Sequence, residues 1–157
     1  MSSLNRLARR VKGVVANRRG VSSVEFALAV PLLVTILSLL VDFGIGFYQK
    51  MQVEDAAQAG AQYALLHGWN SDSIENAVTS ATTLAGISAS PAPTQACGCP
   101  SGSAITTVAD CTTACSNGLS PGTYVTVNAQ ATYTPLISYA VLGSTVTLTA
   151  QSVARIK

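Results

Sequence analysis

Hydrophobic positions along this chain fall into three patterns, each of which predicts a different element. The first is a nearly unbroken apolar run from Val24 to Tyr48, 25 residues with two charges, Glu25 and Asp42, and none between Phe26 and Val41. A run of this length predicts a membrane-spanning helix. As a helix, the steps from Glu25 to Asp42 rise about 26 Å, against a hydrocarbon core of about 30 Å. Both carboxylates are therefore expected near opposite interfaces, where a charge costs less than at mid-membrane. Pro31 falls inside the run, which membranes tolerate. The second pattern is helical. Gln49 to Leu66 continues the first helix, with small residues at Ala56, Gly60 and Ala64 and again at Ala57 and Ala61. Small-x3-small spacing lets backbones approach closely, so this stripe is expected against the head or a neighbour. His67-Gly68-Trp69-Asn70 breaks the helix. Asp72 with Glu75 fits an N-cap, Ile74, Ala77, Val78, Ala81 and Leu84 follow at helical spacing, and Gly86 closes a second, short helix.

The third pattern has period two. Val125, Val127, Ala129, Ala131 and Tyr133 alternate with polar residues, as do Val146, Leu148, Ala150 and Ala154. Each reads as a strand with one buried face. Pro135 to Gly143 joins them, which predicts an antiparallel pair packed on helix. Two strands alone are marginal, so a third around Ala104 to Val108, or a partner subunit, is expected to complete the sheet. Ser88 to Gly122, rich in Ser, Thr, Pro and Gly, reads as a long loop. The expected fold class is α+β, with residues 1–20 as a basic leader, 21–48 as the transmembrane helix and 49–157 as a small head containing the 88–122 loop.

Charge sharpens this division. The chain has 157 residues and a net charge of +2, but residues 1–20 hold six bases and no acid, and the remainder sums to −4. With no basic surface elsewhere, nucleic-acid binding is a poor reading. A basic flank beside an apolar run marks the cytoplasmic side of an anchor. A buried core helix is disfavoured, because the remaining chain is too short and too polar to wrap it. Signal-peptide cleavage sites of the small-x-small type, Ala57-Gln58-Ala59 and Ala59-Gly60-Ala61, lie well past Tyr48 in continuing helix. The Arg-containing, acid-free leader also has the look of a mitochondrial presequence, a weaker reading.

The most informative stretch is Arg18-Arg19-Gly20-Val21-Ser22-Ser23-Val24-Glu25-Phe26. A glycine ends the basic segment, the apolar helix starts at once, and a carboxylate lies five residues after the glycine. This resembles the prepilin peptidase site of type IV pilins and pseudopilins. Together with Pro31, Val41-Asp42-Phe43-Gly44 and the Asp55 to Ala64 stretch, it resembles the TadE-like family of the tight-adherence (Tad) pilus. The resemblance covers residues 18 to 66, with Phe26 where such sites often carry Tyr and Val21 as the first mature residue. It implies cleavage after Gly20 at the cytoplasmic face and a minor pseudopilin of the bacterial inner membrane, single-pass, with its head in the periplasm and possible incorporation into an extracellular pilus. Prepilin peptidase, other pilus subunits and inner-membrane lipid are the implied partners. Cleavage would create an ammonium at Val21. Glu25 could neutralise it within one helix at i,i+4 spacing or between neighbouring subunits, and the analogy with pilins favours the second.

On that topology Cys97, Cys99, Cys111 and Cys115 lie outside the cytoplasm, where disulfides persist. Pairing Cys97 with Cys99 would be cramped, so two bridges are expected between the first pair and the second, with the nested Cys97–Cys115 and Cys99–Cys111 slightly preferred. A four-thiolate zinc site is the rival, but C-x-C and C-x3-C depart from the usual C-x2-C spacing. No catalytic set can be assembled. His67 stands alone, and the glycine-rich pieces lack the strand-to-helix context of a phosphate loop. We therefore expect no enzyme activity, no cofactor, no metal and no small-molecule substrate. The alternative function is an uncleaved, signal-anchored envelope protein with a periplasmic binding module.

Overall fold

The computed structural model describes residues 21–102, 104–136 and 145–157. The fold is α+β, in the element order α1 (Val21–His67), α2 (Ser71–Ser80), β1 (Thr94–Ser101), β2 (Ala104–Val108), β3 (Gly122–Tyr133) and β4 (Val146–Arg155). The chain divides into two compact units, with the boundary between Val41 and Asp42.

In the first unit, α1 continues through Pro31. The hydroxyls of Thr35 and Ser38 donate to the carbonyls of Pro31 and Val34, each at 2.8 Å, so neither is left unsatisfied on an apolar helix. Large apolar side chains including Phe26, Leu28, Leu32 and Leu40 are exposed. None of the residues in the most hydrophobic part of α1 is buried within the chain, which makes it a candidate membrane anchor.

In the second unit the sheet has the order β2-β1-β3-β4, antiparallel throughout. The alternation in β3 is realised as expected: Val125, Val127, Ala129, Ala131 and Tyr133 are buried and the residues between them are not. β4 pairs with it from Tyr124↔Arg155 to Tyr133↔Val146. The 88–122 segment is not simply a loop, because β1 and β2 both form inside it. The expected strand at Ala104–Val108 exists. Its neighbour, Thr94–Ser101, carries Gly98 between its cysteines and Pro100 after them, and shows no alternation of apolar and polar residues by which to be read. Gly102, at φ +62°, makes the left-handed turn between the two strands that only glycine adopts without strain.

The small-residue stripe of α1 packs on the head's own sheet. Ala56, Ala57, Ala61 and Ala64 form one buried cluster with Val53, with Ile74 and Val78 of α2, and with the inward residues of β3. α2 itself starts and ends earlier than the sequence suggests. Its N-cap is Asn70, whose side chain accepts from the Ser73 amide at 2.9 Å, so Asp72 lies in the first turn, where a negative charge suits the helix N-terminus. The helix closes at Ser80. Leu84 still packs on the core, but from a non-helical segment, so apolar spacing ran on beyond the helix that carried it.

Gly60 sets how closely α1 approaches the rest of the core. A Cβ there would lie 2.7 Å from Val78 Cγ2 and 2.8 Å from Val127 Cγ1. Gly60→Leu forces these side chains apart and is expected to cost about 1–3 kcal/mol, as overpacking does. Denaturant unfolding of the detergent-solubilised protein, followed by Trp69 emission, checks this; an unchanged midpoint would contradict the packing.

Candidate functional site

Of the residues singled out at the leader junction, Gly20 lies outside the described residues. Val21 is the first residue of α1, and Glu25 follows it by one helical turn. Glu25 is exposed, as are Val24 and Phe26 on either side of it. A carboxylate here is available to a cation one turn earlier on the same helix or on another molecule.

The second acid of the apolar run is placed quite differently. Asp42 is only 2% exposed, in a helix whose neighbouring residues Val41 and Phe43 are more than half exposed. Its carboxylate accepts a hydrogen bond at Oδ1 from the Tyr133 hydroxyl and another from the Leu136 amide at 2.9 Å. The Tyr133 hydroxyl also lies 2.8 Å from the Asp42 main-chain carbonyl. Tyr133 is the last residue of β3, so this cluster fastens the end of a strand to α1 across 91 residues of sequence. The clasp needs Gly46 one turn on: a Cβ there would sit 3.3 Å from the Tyr133 ring, and its absence lets the ring lie against the helix. Buried polar groups are costly unless bonded, and these donors meet the requirement of an acid inside an apolar stretch. Tyr133 is the residue that sequence reasoning missed as a partner. Its position at the inward end of a strand pattern was visible; its hydroxyl's target was not.

Beside the clasp lies an apolar recess of about 330 Å³, walled by Phe43, Phe47, Tyr133, Pro135, Val146 and Leu148. Lys50 stands at its edge, bonded to the Thr149 carbonyl at 2.6 Å and paired with Glu54 at 3.0 Å.

The cysteines form two bridges, but not the nested pair preferred from the sequence. Cys97 joins Cys111, with Cα atoms 5.2 Å apart, and Cys99 joins Cys115, at 5.7 Å. The reason is β1. Cys97 and Cys99 are two residues apart on one strand and so face the same way. β2 runs antiparallel to it and ends with Val108 opposite Cys97. The chain leaving β2 therefore reaches Cys97 first, at Cys111, and Cys99 later, at Cys115. In the chain-entropy model, loops of this length stabilise by about 3 kcal/mol each. With all four thiols bridged, none remains as a metal ligand.

Between the bridged cysteines, Asp110 organises the turn. Its carboxylate accepts from the Thr112 amide at 2.9 Å, the Thr113 amide at 2.8 Å and both threonine hydroxyls. The adjoining recess, about 660 Å³, has Asp110 as its one charged lining residue. That carboxylate is already engaged by the turn. His67 stacks on Tyr63 at the end of α1, with ring centroids 4.4 Å apart. Among the described residues, no group of three or more His, Cys, Asp or Glu gathers to hold a metal ion.

Residues 20–62 match the family model described as TadE-like protein. The match begins at the leader glycine and runs through the exposed apolar helix, Asp42 and Gly46 to the small-residue stripe. It bears out the resemblance read from that part of the chain. No curated protein and no solved structure matches the chain.

The threonine amides, Thr113 foremost, and then the hydroxyls hold the Asp110 carboxyl well below its usual range, at about 2 instead of 3.8. A carboxylate whose pKa is lowered by folding supports its turn fully above its unfolded value and loses that support as pH falls through the folded one. The Thr112 and Thr113 amide shifts should stay constant from neutral pH down to about 4 and then move together with a midpoint near 2. An NMR titration that placed the midpoint near 4 would show that the amides do not hold the carboxylate.

Proposed function

We propose that this chain, TadE-like over residues 20–62, is a minor pseudopilin of a Tad-type pilus in surface adherence, processed by prepilin peptidase after Gly20. In this reading residues 1–20 are removed at the cytoplasmic face of the inner membrane. The exposed apolar part of α1 then holds the mature subunit in the bilayer, and the disulfide-bridged head lies in the periplasm and meets other pilus subunits. The observation that carries the reading is the coincidence of two boundaries: the run of basic residues ends at Arg19 and the family match begins at Gly20, directly before the apolar helix.

The physical role of Glu25 follows from the cut. Releasing the leader removes six positive charges and leaves an ammonium at Val21, one helical turn from an exposed carboxylate. Two unpaired charges at the end of an apolar helix resist being packed away from water; a pair does not. Pairing across subunits fixes axial register, since a neighbour shifted along the helix loses the contact.

Sequencing the membrane form should give a mature N-terminus at Val21. Gly20→Leu should leave the full-length chain in the membrane. Glu25→Ala should still be cut but should abolish or strongly reduce piliation. A full-length chain recovered from normally piliated cells would rule out processing and favour a signal-anchored envelope protein. Normal piliation of Glu25→Ala would rule out the charge pairing.

A further inference from the structure

We infer that the head makes a second, monotopic contact with the outer leaflet of the bilayer, through Phe43, Phe47, Leu136 and the apolar recess they adjoin. This rests on the membrane-anchor reading given above. The apolar run read from the sequence reaches Tyr48, but an open charge at Asp42 would end the membrane span there, short of it. The structure removes that interruption. Asp42 is buried, and its carboxylate is met by the Tyr133 hydroxyl and the Leu136 amide instead of by water or lipid headgroups. With that charge enclosed, the apolar character of α1 continues to Tyr48, and the next charged group is Lys50. From Phe26 to Tyr48 the helix rises about 33 Å, which matches the hydrocarbon core of about 30 Å better than the shorter span does.

The clasp also fixes what lies beside this extension. Leu136 is bonded through its amide to Asp42, so it cannot be far from the level of that residue in the membrane. Its side chain is 71% exposed, as are Phe43 at 57% and Phe47 at 70%. Pro135 and Val146 wall the recess next to them. An apolar patch of this kind on a head surrounded only by water is unfavourable; at the depth of Asp42 it faces lipid. Phe47 and Tyr48 fit the aromatic belt that marks the headgroup boundary, and Lys50 lies just beyond it. The occupant is thus the acyl and glycerol region of the outer leaflet. Release of this contact becomes part of extracting the subunit from the bilayer.

Tryptophan quenching by lipids brominated on the acyl chain near the headgroup tests this in the full-length protein in nanodiscs. In the natural chain Trp69 lies beyond the end of α1, about 38 Å of helix past Asp42, and should be unquenched. In a Trp69→Phe background, Leu136→Trp should lose most of its emission and shift to the blue. Leu37→Trp, at the middle of the span, should be quenched when the bromines are placed at the end of the acyl chain instead. Quenching at Leu37→Trp without quenching at Leu136→Trp overturns this contact, leaves the anchor standing and assigns the patch to protein. Quenching at neither position overturns the anchor itself.

Discussion

An acid buried in the apolar stretch of a helix has to be answered, and the answer given to Asp42 organises this protein. Its carboxylate is met by the hydroxyl of Tyr133, at the end of β3, and by the amide of Leu136, three residues beyond it. A hydrogen bond that would add little at the surface matters here, because both partners are buried, Asp42 at 2% and Tyr133 at 8% exposure, away from water that could replace it. The bond therefore selects one register of strand against helix. Gly46 is the steric counterpart of the same choice, since any side chain there would press on the Tyr133 ring.

From that point onward α1 serves as the head's central support. The stripe from Ala56 to Ala64, with Gly60 in its middle, brings the helix backbone against the buried face of β3 and against Ile74 and Val78. Small side chains bury little apolar area each, so the head gains stability from closeness instead of from bulk. Its other end, where β1 and β2 extend beyond the core, is held covalently by two bridges. A domain of this size with so many alanines in its core fits the general need of small domains for such staples.

What the sequence revealed follows from which physical signals are local. The long apolar helix, the small-residue stripe and the alternation in β3 and β4 are periodicities, and each appears in the structure where it was read. β1 was missed because Cys97-Gly98-Cys99-Pro100 owes its strand conformation to neighbours and disulfides and shows no pattern of its own. The bridge connectivity was missed with it, since nested pairing is natural for a loop and unnatural for a strand with its hairpin partner. Asn70 was overlooked as a cap because Asp72 and Glu75 form a familiar spacing two residues later. Asp42 was visible as an acid in the right place. Its enclosure was not, because the residue that encloses it lies 91 positions away.

A double-mutant cycle between Asp42→Ala and Tyr133→Phe measures the central interaction most directly. Unfolding of the four proteins in one detergent, followed by Trp69 emission, should yield a coupling energy of about 1–3 kcal/mol. Effects that add to within about 0.5 kcal/mol would mean that the two residues act independently, and that the carboxylate does not hold the strand to the helix.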